Sequence, residues 1–505
     1  MSHAALFKYN AIKKSLLHPV FSRTKEYNYL AIEVDIFDDD QVDMCNYLSV
    51  ALVCFYIDKR KNIVEIASQT LKQVCKYNQM KFAVLTDNYQ EWVEFSCLCG
   101  NPPNMFVFPY LSNNSAELSL WNSTHLFSVM VKDKNYNQDG SLMNDLGLFL
   151  YVLLERSIPV FIPSKCENLT FVNMFSPIYN IIQNVNIDPF SDSLRVPLET
   201  INNDLTSAVY ETFEEDKVKY EKYQAAIEKA IKAKSNQKDL IIAVAGAGRG
   251  PLVDCALRVG AVNIYVIEKN KNAFQYLKLK KEMEWPDTIQ LFYGRIEEVE
   301  LPKKVDILIT ELLGGFGDNE LSPECLANCE RFLNEGAISI PQEYTSYIVP
   351  IMSQHLWTKA IYEKRQQNML AIQIKSSIFL SQPSPLMKFN HPGKNELYKS
   401  SIINFQSLIN GYCHGFGGWF EAKLFDDVMI SSSPINGTPG MFSWWTIYFP
   451  LETPIPVNEG KDIKIMFSRK CDDEQKHVWY EWSLIEPTIT PIHNAGGNVF
   501  VFTYK

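Results

Sequence analysis

The chain has 505 residues, 46% of them hydrophobic and 21% charged, which is enough apolar content to bury more than one core and too much for a disordered chain. Its formal net charge of −10 argues against nucleic acid as a direct partner and suits a basic one, and no run of 18 uncharged apolar residues marks a membrane span. Eleven scattered cysteines without a CxxC pair argue against a zinc site or a disulfide framework, and an amino terminus without a secretory apolar core points to an intracellular protein.

From residue 29 to about 165, short β-branched and aromatic runs recur: YLAIEVDI, SVALVCFYI, KFAVLT, NMFVF, HLFSVMV and IPVFIP. Each has the composition of a buried strand. The amphipathic stretches NIVEIASQTLKQVCKYN and SLMNDLGLFLYVLLERS lie between them, so this part alternates β and α with mostly parallel strands, in a barrel or an open sheet. Residues 194–238 are polar and helical in period, a linker leading into helices of the next domain. That domain opens with DLIIAVAGAGRGPLVDCALRVGA and continues through NIYVIEKN, TIQLFYG and VDILITELLGG, the strand-and-helix repeat of a doubly wound, Rossmann-like sheet. Beyond Pro341 the runs TSYIVPIM, LAIQIKSS, SIINFQSL, GGWFEAKLF, SWWTIYFP, IKIMFSR, VWYEWSLI and NVFVFTYK are strands with few long helices between them. They predict an antiparallel barrel or sandwich.

Gly246, Gly248 and Gly250 follow the strand LIIAVA and open a helix, where backbone has to approach a ligand and a helix amino terminus can face negative charge. Glu268 ends the next strand, 22 residues after Gly246, the place from which a carboxylate reaches ribose hydroxyls. Together they specify an adenosine-containing cofactor, which a dinucleotide dehydrogenase and an S-adenosylmethionine enzyme would share. Glu311 and Glu320 add two carboxylates in the segment ELLGGFGDNELSPEC, which starts where the strand VDILIT ends. Taken alone, two carboxylates nine residues apart read as solvated loop acids. A dehydrogenase would leave these two residues without a task.

That segment resembles the double-glutamate loop of the type II, symmetric-dimethylating protein arginine methyltransferases. Further matching stretches run in order over about residues 196–505: YETFEEDKVKYEKYQAAI, AGAGRGPLV, IEKNKNA, GAISIPQEYTSYIVPI, MKFNHPGK, HGFGGWFEAKLF, GTPGMFSWWTIYFP, VWYEWSLIEP and IHNAGG. The resemblance implies a shortened TIM-barrel-like α/β domain at 1–195, a Rossmann-like methyltransferase domain at 196–344 and a β-barrel domain at 345–505. It implies catalytic roles for Glu311 and Glu320, a pair that would clamp a guanidinium, a planar cation with a pKa above ~12, turn one nitrogen toward the methyl donor and stabilise the charge that develops. It places Tyr210, Lys219, Tyr220, Gly246, Gly248, Glu268 and Ile296 at S-adenosylmethionine, and Phe213 and Trp444 at the substrate arginine, with no metal.

It also implies monomethyl and symmetric dimethylarginine as products, on arginine-glycine tails of histones and Sm-type proteins. The other expectations are oligomers, a WD-repeat propeller docked on the amino-terminal domain, residence in cytoplasm and nucleus, and neither a membrane nor direct nucleic-acid partner. Two features depart from the pattern. Arg295 stands where an acidic residue would meet the adenine amino group, and only six strand-like runs precede the catalytic part, against about eight strands and ~200 residues for a full barrel. A scaffold that keeps the fold without turnover is the alternative these departures allow.

Overall fold

The computed structural model describes residues 4–8, 29–47, 52–112, 115–126, 129–130, 146, 149–150, 153, 160–161, 193–201, 203–234, 239–374, 376–472, 474 and 476–504. The chain divides into two compact units, one taking in 1–192 with 352–365 and 375–378, the other 193–351 with 366–374 and 379–505.

In the first unit, β1 (Ala4–Lys8), β2 (Tyr29–Glu33), β3 (Leu52–Tyr56), β4 (Lys81–Thr86) and β5 (Met105–Pro109) pair side by side in chain order, all parallel. Bridges from Val107 to Leu126 and from Tyr110 to Met130 carry the progression to β6 (Val129–Met130), which pairs with β7 (Val160–Phe161). Parallel neighbours need crossovers, and helices α1 (Asp39–Tyr47), α2 (Ile63–Lys76), α3 (Tyr89–Leu98) and α4 (Ser115–Asn122) provide them. Asn62 starts α2 by accepting from the Val64 N–H at 2.9 Å, and Ile66, Ala67, Thr70 and Val74 form its buried stripe. The six expected runs each contain a strand. β1 lies outside them, because five residues flanked by polar ones carry no readable period. The expected helix at 141–157 lies mostly outside the described residues, although Leu146, Phe149, Leu150 and Leu153 are buried.

A closed TIM-type barrel is not formed by the described residues, whose seven strands follow one another in order without an eighth to close the ring. The expected β domain at 345–505 also gives up a piece. Helix Gln354–Tyr362 belongs to the first unit, where the Trp92 indole N–H donates to Gln354 Oε1 at 3.1 Å and the Tyr89 hydroxyl meets Met352 Sδ at 3.4 Å. Buried tyrosine and tryptophan need such polar partners.

The second unit holds a five-stranded parallel sheet of order β10-β9-β8-β11-β12, with β8 (Ile241–Ala245), β9 (Asn263–Glu268), β10 (Ile289–Tyr293), β11 (Val305–Thr310) and β12 (Leu333–Ile340). The order reverses between β8 and β11, and such a switch opens a crevice at the carboxyl ends of the strands. Helices α5 (Ser207–Glu214) and α6 (Lys217–Ala233) precede the sheet; α7 (Pro251–Arg258), α8 (Lys271–Met283) and α9 (Ser322–Cys329) alternate with its strands. One face packs Ala243, Ala245, Tyr265, Ile267 and Leu308 on Cys325, Leu326, Cys329 and Phe332. The two cysteines are packing residues, as their apolar surroundings require.

The remainder forms two antiparallel sheets. Gly411–Phe425 lies between Glu343–Met352 and Thr446–Val457 in the larger. The smaller runs Lys399–Gln406, Asp462–Cys471, His477–Glu486, Phe502–Thr503.

Candidate functional site

The carboxyl ends of β8, β9, β10 and β11 open on one cleft. All the sequence candidates except Lys219, Gly250 and Trp444 line it. At the end of β8 the Gly246 and Ala247 N–H groups both donate to Ile267 O, at 3.0 and 3.1 Å, which folds the turn back over β9. Gly248 has φ +56°, and a Cβ there would lie 2.9 Å from the Tyr210 ring, so glycine is required on both counts. Glu268 is only 4% exposed. Its Oε2 accepts from Gly248 N–H at 2.7 Å and its Oε1 from Asn270 N–H at 2.6 Å. Burial raises its carboxyl above the usual range, and these backbone donors oppose the rise. A carboxylate has about four acceptor positions, so Glu268 can hold the glycine turn and still receive hydroxyls from the cleft. That donor set suits the ribose of an adenosine cofactor.

Over this end lies α5, which carries Tyr210 and Phe213. Arg249 fastens it to the glycine turn through Glu214 at 2.9 Å and the Ser207 hydroxyl at 2.9 Å. At the end of β10, Arg295 has local partners: it pairs with Glu297 and lies 5.6 Å over the Tyr504 ring. Tyr504 donates to Glu297 at 3.3 Å and accepts from Asn328 at 2.9 Å. The acceptor beside Arg295 and Ile296 in the cleft is therefore Glu297.

The other end of the cleft is the loop between Glu311 and Glu320. Gly314 and Gly317 exchange backbone hydrogen bonds at 2.8 and 3.2 Å, and Asn319 Oδ1 accepts from Phe316 N–H at 2.7 Å. Phe316 is fully buried, with ring centroids 5.2 Å from Phe449, 5.7 Å from Phe467 and 5.8 Å from Tyr480. Burial of such a ring contributes roughly 1.5–3 kcal/mol. Gly315 passes so close to the antiparallel sheets that a Cβ would lie 2.1 Å from Trp445 O. Beneath the loop, Arg469 has zero exposure and bonds Asp318 at 2.6 Å and Glu324 at 2.8 and 3.0 Å, while the Tyr480 hydroxyl donates to Asp318 at 2.7 Å. Deleting one partner of a buried ion pair typically costs about 3–5 kcal/mol, so this cluster holds the loop backbone to one place.

Glu311 follows β11 and receives Lys219 Nζ at 3.4 Å. Lys219 is 1% exposed, and its ammonium lies 5.2, 4.8 and 5.3 Å from the ring centroids of Phe213, Tyr220 and Trp444. Cation–π attraction and the carboxylate together compensate its desolvation. The Trp444 indole donates to Leu313 O, on the loop itself. Its own segment is held by Asp216, a fully buried carboxylate that caps α6 at Lys219 N–H (3.1 Å). Asp216 also accepts from Phe442 N–H (2.9 Å), Ser443 N–H (2.8 Å) and the Ser443 hydroxyl (2.7 Å).

Glu320 is partly buried and lines the cleft. Loss of bulk hydration, then the negative charge of Glu311, push its carboxyl up to about 8, against the Thr200 hydrogen bond and the Lys219 charge. A cation entering between the two carboxylates would relieve that repulsion. Sequence reasoning missed Thr200, Asp216, Arg249 and Tyr504. Arg249 stands inside the glycine motif, and Asp216 precedes a helix as an N-cap, so both carried a local signal. Thr200 and Tyr504 had none. Among the described residues no cluster of three or more His, Cys, Asp or Glu side chains could hold a metal ion.

Residues 182–340 match the family described as PRMT5 arginine-N-methyltransferase, and residues 343–502 match the PRMT5 oligomerisation domain. Protein arginine N-methyltransferase 5 of Xenopus laevis is 38% identical over 332 residues, with 62% of this chain and 52% of that protein covered. Protein arginine N-methyltransferase skb1 of Schizosaccharomyces pombe is 37% identical over 353 residues, covering 62% and 56%. A solved Trypanosoma brucei PRMT1 enzyme-prozyme heterotetrameric complex with AdoHcy is 17% identical over 54% of this chain and 90% of its own, with a TM-score of 0.47. The chain spans about half the length of the curated relatives it matches.

Proposed function

We propose, from the premise that this chain belongs over residues 182–502 to the PRMT5 family of arginine N-methyltransferases, that it methylates protein arginines with S-adenosylmethionine. The observation that carries this reading is the meeting of Glu311 and Glu320 with the Gly246–Gly248 turn and Glu268 in one cleft. The bound cofactor supplies an electrophilic methyl group. Glu268 would receive its ribose hydroxyls, Tyr210 and Lys219 would serve its methionine end, and Tyr220 near Gly246 and Ile296 would complete its site. Glu311 and Glu320 accept the N–H groups of the substrate guanidinium and aim one nitrogen at the methyl. Their charge offsets the positive charge that builds up there. Trp444 offers an aromatic face for a planar cation. Transfer leaves one N–H proton to be released, and Glu320, with its raised proton affinity, is the group that takes it.

The products are monomethyl and symmetric dimethylarginine, with Phe213 restricting which nitrogen of a once-methylated arginine can face the methyl donor. Arginine-glycine tails of histone and Sm type are the substrates that an acidic chain with paired carboxylates suits. The segment matched to an oligomerisation domain supports a homo-oligomer. The progressive parallel strands of the first unit support a TIM-barrel-like domain, on which a WD-repeat propeller would dock. Residence is cytoplasmic and nuclear. Incubation with labelled cofactor and such tails, then hydrolysis and separation of methylarginine isomers, tests the reading. Monomethyl and symmetric dimethylarginine are expected. Asymmetric dimethylarginine as the main product would overturn the role of Phe213, and absence of both transfer and cofactor binding would overturn the enzyme.

A further inference from the structure

Resting on that reading, we infer that Thr200 is a positioning residue for Glu320, its hydroxyl setting the carboxylate so that one oxygen is held by the protein and the other is left for the substrate guanidinium. Thr200 Oγ1 donates to Glu320 Oε2 at 2.9 Å across 120 residues of chain, and both residues line the cleft. Oε1 has no protein donor among the described residues.

The place of Thr200 is itself fixed. Arg195 and Ala371 exchange backbone hydrogen bonds at 3.1 and 2.7 Å, the Arg195 guanidinium lies 4.9 Å over the Trp445 ring, and Asn203 N–H closes a turn on Glu199 O at 3.1 Å. Phe316 and the Arg469 cluster anchor the loop backbone of Glu320 but leave its side-chain torsions open. A glutamate has three such torsions, and a hydrogen bond from a fixed hydroxyl removes much of their freedom before substrate arrives.

The charged groups that face Glu320 are Glu311 at the end of β11 and Lys219 from α6. Thr200 favours the charged form, as Lys219 does, and Glu311 opposes it. Removing the hydroxyl therefore moves the titration of Glu320 upward as well as loosening it.

The test compares wild type, Thr200→Val and Thr200→Ser in full-length protein. It measures kcat and KM against pH with an arginine-glycine peptide, cofactor affinity by calorimetry, and the Glu320 carboxyl band by infrared titration, assigned through its loss in Glu320→Gln. Thr200→Val is expected to keep cofactor affinity and lose several-fold in kcat near neutral pH. Its acidic limb and infrared titration should both move up by roughly one pH unit, and Thr200→Ser should restore both. A Thr200→Val titration identical to wild type would overturn the inference, and so would a Thr200→Ser protein as impaired as the valine variant. A wild-type protein inert toward the peptide would instead overturn the functional reading, while the infrared comparison still decides the role of Thr200.

Discussion

The half of the cleft around Gly246, Gly248 and Glu268 is held by residues near in sequence, such as the bonds from Glu268 to Gly248 and Asn270, 20 and 2 residues away. The half around Glu311 and Glu320 is held across 92 residues to Lys219, 120 to Thr200, 131 from Trp444 to Leu313 and 151 from Arg469 to Asp318. Strand-turn-helix geometry makes the core of the first half, which α5 and Tyr504 then close, whereas the second needs the antiparallel sheets folded against it. Cofactor binding and substrate presentation should therefore be separable by mutation.

The largest separation is expected for Glu311→Gln and Glu320→Gln, which keep the shape of the clamp and remove its charge. Each should lower kcat by on the order of 10²–10³-fold, as loss of a transition-state partner does, with cofactor affinity changed no more than a few-fold. Radiolabel transfer and calorimetry on the same preparation decide it, and a variant that retains most of its rate was not part of the clamp. The wild-type pH profile sharpens the same point. Because the Glu320 carboxyl is raised to about 8, its charged form appears only as pH rises through that value, so kcat/KM should climb toward pH 8 and Glu320→Gln should lack the climb.

An intermediate effect is expected for Asp216→Asn. The carboxylate accepts four hydrogen bonds from α6 and the 442–443 segment, whereas an amide offers one oxygen and turns N–H groups toward N–H groups. At about 1–3 kcal/mol for a buried unsatisfied group, peptide kcat/KM should fall roughly 5–160-fold. Steady-state kinetics with cofactor affinity measured alongside would break the two-half picture if both constants fell together.

On the rate itself, the smallest effect of the three is expected for Glu268→Ala. Loss of one charge-assisted bond, at ~1.5–3 kcal/mol, should weaken cofactor binding at least tenfold and leave kcat at saturating cofactor near wild type. Unchanged affinity by calorimetry would remove Glu268 from the cofactor half. A large fall in kcat would mean that its bond to Gly248 also positions the reacting end.

Patterns confined to one turn or one strand were legible in the amino-acid sequence: the four parallel strands β8 to β11 announced by apolar runs, the glycine turn, the carboxylate at the end of β9, and the two glutamates with their motif. Turn chemistry and periodicity act between neighbours, so their signals survive in the linear chain. Arg295 shows where this stops, since its mismatch was visible but its pairing with Glu297 and Tyr504 was not. Helix Gln354–Tyr362 belongs to the first unit, where Trp92 donates to Gln354, a contact that nothing around residue 354 could indicate. Lys219 turning its ammonium to Glu311, Asp216 reaching Ser443 and Thr200 reaching Glu320 were likewise decided only when the chain folded. Such pairs depend on distances of about 3 Å between segments more than 90 residues apart, and only packing of the sheets and helices sets those distances.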